Sequence, residues 1–456
     1  MKLKLVPLVC ASSLLVLTAC TMAPHYERPE LPVALEASAA AEDAGSRASD
    51  LAWRSFYEND QVQKLIELAL ENNRDLRIAS LTVDQVRAQY RIQRAQLLPG
   101  IGANAGATRQ RVPATLSETG ESYIAEQYSA GVGISAYELD FFGRVQSLRR
   151  GALEQYLASE EARNSAHISL IAEVADAYFT WVANTELLAL AGNTLVSRQA
   201  SYDMVKTRVD AGLASELDLS QAATALHSTE IEAAFYQRQL TESFTALETL
   251  VGTPLNQENL QAHWNSDSML AEFPEVISSE VLLQRPDILQ AEHALRAANA
   301  NIGAARAAFF PSISLTANYG NASRELDDLF DSGTRTWSFS PQINLPIFTW
   351  GANAANLDVA NLQKDINIAR YEQAIQSAFK EVRDGLQAQT VLKLQLDAQR
   401  KLVTATGRSF ELANLRYERG VDSYLDVLDS QRNYNSAQQG LISTRLNQAR
   451  NQLTLY

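Results

Sequence analysis

Cysteine is nearly absent from this chain of 456 residues: the two present, Cys10 and Cys20, both lie near its beginning. No disulfide framework can hold the rest together, so its core must come from packing alone. Proline is missing between Pro113 and Pro254 and after Pro346, and nothing in those two stretches obliges a helix to stop. Past the N-terminus no apolar run approaches the roughly 18 residues of a membrane helix, which leaves any crossing of a bilayer to strands. Basic residues are in deficit, 39 Lys and Arg against 53 Asp and Glu, and the net charge of -14 disfavours nucleic acid as a partner. The histidines His25, His167, His227, His263 and His293 show no metal-ligand spacing. Neither a Gly-x-x-x-x-Gly-Lys loop nor a Gly-x-Ser-x-Gly elbow occurs. Nothing in this pattern points to an enzyme, a cofactor or a metal.

What is present begins with an export signal. Lys2 and Lys4 precede an apolar run from Leu5 to Leu17, and Leu17-Thr18-Ala19-Cys20 places small residues before a cysteine. This resembles a bacterial lipobox, with residues 1–19 removed and Cys20 carrying lipid. Thr21 rather than Asp follows, which in lipoprotein sorting favours the outer membrane. Residues 20–52, rich in Ala, Glu, Ser and Pro, read as anchor and linker.

The remainder is an internal duplication. Arg208, Asp210, Gly212, Ser215, Leu217 and Asp218 recur 208 positions later as Arg416, Glu418, Gly420, Ser423, Leu425 and Asp426. Glu173-Val174-Ala175-Asp176 and Glu381-Val382-Arg383-Asp384 keep the same offset. The expected domains are a first repeat over 53–254, a linker over 255–284 and a second repeat over 285–456. Each repeat opens with an amphipathic helix: Val62, Leu65, Ile66, Ala69, Leu70, Leu76, Ala79 and Val83 predict one from Asp60 to Leu98, stopped by Pro99. Its counterpart starts at Arg285-Pro286-Asp287 and stops at Pro311.

Beyond each of these prolines the period changes from 3.6 to 2. Tyr128, Ala130, Val132, Ile134 and Ala136 alternate with small polar residues, as do Trp337, Phe339, Ile343, Leu345 and Ile347. Shorter alternations follow Pro99 and Pro311. Each repeat therefore supplies one strand hairpin, 99–141 and 311–350, with loops near 113–126 and 321–335. Four strands cannot close a barrel alone. Either they form a small soluble sheet with one wet face, or several chains share a membrane barrel with the apolar face toward lipid. The rest predicts helical hairpins over 144–252 and 352–456, whose first arms, to about Val209 and Tyr417, would reach on the order of 100 Å each. Gly151, Gly192, Gly385 and Gly407 are the weak points within those arms. The fold class is mainly α, with four strands set on long helical hairpins.

Here the chain resembles the TolC/OprM-type outer membrane efflux proteins, in the lipoprotein branch that serves resistance-nodulation-division pumps. The resemblance rests on Cys20, on Trp53 to Phe56 with Asn73-Arg74-Asp75-Leu76, on Leu282 to Ile288, on both Gly-x-x-Ser turns and on Tyr424 to Gln431. It implies a homotrimer with a twelve-stranded barrel in the outer membrane and a periplasmic helical tunnel. Its implied partners are a periplasmic adaptor protein, an inner membrane pump and outer membrane lipid. The implied function is a passive duct for drugs or other small molecules, opened by adaptor and pump. Alternatives are a type I secretion or metal-export duct and, in a different class, a lipid-anchored helical scaffold without a lumen.

Two places would carry that function. Asp426 and Asp429, beside Leu425 at the start of a returning helix, are three residues apart and share a face. Turned inward in a trimer they would ring the pore with carboxylates; left outward they are solvated aspartates favourable to the helix dipole. The resemblance implies the first role, with Leu425, Asp426, Asp429 and Arg432 as a periplasmic gate. It further implies an inter-helix hydrogen bond between Asp218 and Tyr417 as a lock on that gate, although Asp422 stands where the pattern has a basic residue. The second place is the pair of tip turns, where Gly212, Leu213 and Ser215, and Gly420, Val421 and Ser423, would meet the adaptor. The same glycines and serines would serve as helix caps in any case.

Overall fold

The computed structural model describes residues 21–32, 53–260, 264, 270 and 282–456. The expected signal segment, Cys20, and most of the two expected linkers lie outside the described residues. After one helical turn at Trp53–Phe56 the elements are α1 (Asp60–Asn72), α2 (Arg74–Ala95), β1 (Ile101–Val112), β2 (Tyr123–Leu139), α3 (Arg144–Asp210) and α4 (Glu216–Val251). Then follow α5 (Pro286–Ala307), β3 (Ser312–Ser323), β4 (Arg335–Asn344), α6 (Ala352–Glu418) and α7 (Tyr424–Leu455). The α-β-β-α-α order thus occurs twice, and α3 and α6 have the same length, 67 residues.

Two compact units cut across the repeats rather than following them. The first gathers residues 1–30, 82–161 and 289–372, and its centre is one antiparallel sheet in the order β1-β2-β3-β4. Register sorts its faces. Ala103, Val132, Tyr319 and Trp337 stand in one row, and Ile101, Ile134, Ala317 and Phe339 in the next. The alternate rows are Gly102-Gly133-Asn318-Ser338 and Asn104-Gly131-Gly320-Thr336. One face is therefore apolar and the other small and polar. A Cβ on Gly133 would come within 2.5 Å of the Ala317 carbonyl, so the small face owes its close strand approach to glycine. The apolar face is not buried within the chain: Trp337 is 74 % exposed.

In the same unit residues 21–28 are fastened to α5 and α3. Asn299 Nδ2 donates to the Pro24 carbonyl at 2.9 Å, Arg306 Nη1 to that of Met22 at 3.2 Å, and the hydroxyls of Thr21 and Ser147 are 3.0 Å apart. The centre of the attachment is Glu292, only 3 % exposed. Its carboxylate receives Arg28 at 2.7 Å, Arg296 at 2.6 Å and the Tyr26 hydroxyl at 3.2 Å. Burial alone would raise its pKa, but the two guanidinium groups hold it below the usual carboxylate value.

The second unit gathers residues 31–81, 162–288 and 373–456. Its core joins Phe56, Val62, Leu65 and Ile66 to Val174, Tyr178, Phe179, Trp181 and Val182 of α3, Leu247 and Val251 of α4, and Leu453 and Leu455 of α7. Each large apolar side chain so buried contributes about 1.5–3 kcal/mol. Phe56 stacks on Tyr456 with ring centroids 4.7 Å apart, which ties the helical turn at Trp53–Phe56 to the end of α7.

Several expectations are corrected here. The single helix from Asp60 to Leu98 is two. Asn73 is extended (φ -62, ψ 132) because its Nδ2 donates to the Leu250 carbonyl at 2.8 Å while its Oδ1 accepts from Leu76 N at 2.9 Å. The alternation read through Leu345 and Ile347 stops at Asn344, before Pro346. Strand β2 starts at Tyr123, earlier than its apolar period, since polar pairs such as Arg109 and Glu126, 2.8 Å apart, prolong the hairpin. The internal glycines of α3 and α6 break neither helix; Gly385 instead admits Leu455 and Gly407 admits Tyr434.

Candidate functional site: the paired tip turns

Both long helices end in the same way, for the same reason. A chain that must reverse after α3 or α6 needs a left-handed residue, and Gly212 and Gly420 each take φ 73. Leu213 N donates to the Arg208 carbonyl at 2.7 Å and Gly212 N to that of Val209 at 2.9 Å. Val421 N to Arg416 and Gly420 N to Tyr417, both 2.9 Å, repeat the arrangement in the second turn. These are Schellman closures.

Each returning helix then starts from a capping box. Ser215 Oγ accepts from Asp218 N at 3.1 Å, while Asp218 Oδ2 accepts from Ser215 N at 3.0 Å and from its hydroxyl at 2.7 Å. Ser423 and Asp426 repeat it, with Asp426 Oδ2 accepting from Ser423 N at 3.1 Å and from its hydroxyl at 2.7 Å. The bonds from Ser215 lower the Asp218 pKa. Leu213 and Val421, at the turn tips, are 77 % and 62 % exposed.

The expected gate residues are thereby sorted. Asp426 is engaged in its cap and Asp429 is not; Asp429 instead pairs with Arg432 one turn on, at 2.8 Å. The two carboxylates expected to act alike therefore differ. Leu425 is 51 % exposed beside them. The hydrogen bond expected between Asp218 and Tyr417 is not formed within the chain. Asp218 is held by Ser215, and Tyr417 lies against Tyr424, centroids 5.5 Å apart, with the Arg208 guanidinium 4.9 Å over its ring. That cation-π contact was not foreseen from the sequence.

A second unforeseen contact explains the first. Arg416 grips Asp422 with Nε–Oδ2 at 2.5 Å and Nη2–Oδ1 at 2.8 Å, and that grip lowers the Asp422 pKa. The first repeat has Ala214 where the second has Asp422. Arg208, the counterpart of Arg416, has no aspartate at that position and reaches Tyr417 instead. An arginine and an aspartate on opposite sides of a glycine turn were the available signal. Beneath the turns Val205, Ala222, Tyr424 and Val427 form a small buried cluster. Among the described residues no group of three or more His, Cys, Asp or Glu could hold a metal ion. No described helix is long and apolar enough to cross a membrane.

A family model described as "Outer membrane efflux protein" matches residues 65–253 and 277–456. The chain is 49 % identical over 446 residues to the "Probable efflux pump outer membrane protein TtgC" of Pseudomonas putida, covering 97 % of this chain and 92 % of that one. It is 46 % identical over 420 residues to the "Outer membrane protein OprJ" of Pseudomonas aeruginosa, covering 92 % and 88 %. Among solved structures the open state of the Neisseria gonorrhoeae MtrE outer membrane channel superposes with a TM-score of 0.84 at 42 % identity, covering 96 % of this chain and 97 % of that one.

Proposed function

The chain belongs to the outer membrane efflux protein family, and from that premise we infer that it is the outer membrane channel of a tripartite efflux pump: a homotrimeric, passive duct that an inner membrane pump drives and a periplasmic adaptor opens. The observation that carries this reading is the whole-length match to efflux channels. The sheet supports the trimer. Strands β1 and β4 are edges with one unpaired side each, and in a bilayer unpaired backbone groups are too costly to leave open. Three copies give twelve strands, with the Trp337 and Phe339 face toward lipid and the glycine-serine face toward the lumen. Cys20 carries the lipid, Leu213 and Val421 present apolar tips to the adaptor, and no catalysis takes place in the duct itself.

The gate consists of Leu425 with the Asp429–Arg432 pair; Asp426 serves it by capping α7. Three such pairs around an axis would present alternating charges whose attraction narrows the opening, and their separation would widen it. The lock is the contact of Arg208 with Tyr417 together with the Arg416–Asp422 grip, rather than a bond from Asp218. Single-channel recording in a planar bilayer tests this. The wild type is expected to give a small, cation-preferring conductance, and Asp429→Ala/Arg432→Ala a larger, less selective one. Equal conductance from both proteins would move the constriction elsewhere, and silence from both would remove the duct.

A further inference from the structure

Arginine keeps its charge in every protein setting, so a buried guanidinium requires acceptors. Arg198 of α3 is 7 % exposed, and its Nε and Nη1 have no hydrogen-bond partner among the described residues. It lines a groove of about 560 Å³ bounded by α3, α4 and α7, a volume suited to a small organic molecule. The other charged groups of that groove are Glu232, Asp429 and Arg432. Asp429 is taken by Arg432, and Glu232 accepts from Gln439 Nε2, so neither carboxylate is bonded to Arg198. Burial keeps the Arg198 pKa below its usual value, the mark of a cation whose water has been removed without replacement. The same groove has an apolar side, formed by Leu217, Leu425 and Leu428, of which Leu217 and Leu425 stand well exposed.

An unpaired planar cation beside an apolar wall complements one chemistry. We propose that this groove binds small amphiphilic organic anions, the carboxylate meeting the Arg198 guanidinium and the apolar body lying along Leu217, Leu425 and Leu428. The proposal rests on the duct reading, within which it names a class of cargo. A charge-assisted hydrogen bond between guanidinium and carboxylate is stronger than one between neutral groups. Because Asp429 and Arg432 line the same groove, the occupant's carboxylate competes with Asp429 for Arg432.

The test uses the full-length protein in lipid nanodiscs, titrated by ¹⁹F NMR with 4-(trifluoromethyl)benzoate and with the uncharged 4-(trifluoromethyl)benzyl alcohol. The wild type is expected to hold the benzoate at least about tenfold more tightly than the alcohol, as a charge-assisted pair requires. Arg198→Gln should remove that preference. Thr224→Trp, which fills the groove from an exposed position, should weaken both probes and remains informative if Arg198→Gln does not assemble. Equal affinity of the two probes for the wild type overturns the proposal, as does unchanged benzoate binding by either variant. Conductance is recorded on the same preparations. A wild type that conducts but binds no benzoate overturns the site and leaves the duct standing, which is also the result expected if a neighbouring subunit supplies Arg198 with a carboxylate. A wild type that prefers benzoate but never conducts supports the site and counts against the duct.

Discussion

Glu292 shows how much one side chain can decide. It is buried, and three donors from two segments converge on it: Tyr26 and Arg28 from the N-terminal strap, and Arg296 from its own helix. Glu292→Gln leaves both guanidinium groups without a carboxylate and is expected to cost about 1.5–3 kcal/mol, the range for hydrogen bonds to charged groups. Hydrogen exchange of the amides of residues 21–28 should then be faster than in the wild type, with the rest of the chain unchanged. The sign of the pH effect follows from the lowered carboxylate pKa: the attachment is at full strength above the ordinary carboxylate range and is lost as pH falls through the lowered value. Wild-type protection of that segment, corrected for the intrinsic exchange rate, should therefore fall only in strong acid, whereas the Gln variant should show the same protection at pH 4 and pH 7. None of this was legible in the sequence, because Glu292 lies 264 positions from Arg28 and ion pairs between distant segments leave no local period. The tip residues were legible for the opposite reason. Gly212, Ser215, Gly420 and Ser423 act within six residues of their partners, so the spacing itself encodes the bonds. Asp426 was read as half of a charged face because position three of a helix serves equally as a cap and as a pore-facing site, and spacing alone does not separate the two.

Helix boundaries written in local chemistry were read well; those set by a distant contact were not. Pro286 and the two Gly-x-x-Ser turns place the start of α5 and the tip ends of α3, α4, α6 and α7 within a residue or two of the structure, while α5 ends at Ala307, four residues before the expected stop at Pro311. Asn73 carries no such signal, since what interrupts the helix there is its bond to the Leu250 carbonyl on α4. The capping boxes make a prediction about these elements. Ser215→Ala should destabilise the first turn of α4 by about 1 kcal/mol, and Ser423→Ala that of α7 by a similar amount. Hydrogen exchange of the amides in each first turn checks this, and protection should fall several-fold in the affected helix alone. The two variants are expected to part company in function. Ser423→Ala also frees Asp426 within one turn of Asp429, so its conductance should shift while that of Ser215→Ala does not. If both shift equally, the halves of the tip do not divide the work as their sequences do.

At the scale of the molecule, duplication and strand number were visible in the sequence, whereas four alternating strands left a soluble sheet and a shared barrel both open until the resemblance favoured the barrel. The compact units were not visible, because each gathers pieces of both repeats while the sequence displays the repeats in order. The two faces of the sheet give the next prediction. Phe339→Arg places a charge on the apolar face and should cost about 2–4 kcal/mol per chain near the bilayer midplane. Loss of a slowly migrating, heat-sensitive oligomer in gel electrophoresis would report it. Ser338→Arg, one residue away on the opposite face, should assemble normally and reduce cation conductance. Equal assembly of both variants would mean that the Trp337–Phe339 face does not meet lipid. The unpaired edges have a further consequence, in heredity. With the strands in antiparallel sequence, β4 of one copy meets β1 of the next, so every chain is needed on both sides and none can be spared. A chain whose β1 edge cannot pair would enter a ring and leave it open. Expressed at the level of the wild type in the same cell, it would leave only about one ring in eight free of it if three chains mix at random. Such an allele would be dominant, and the cell carrying it would become sensitive to the exported compounds while still making the normal protein in full amount.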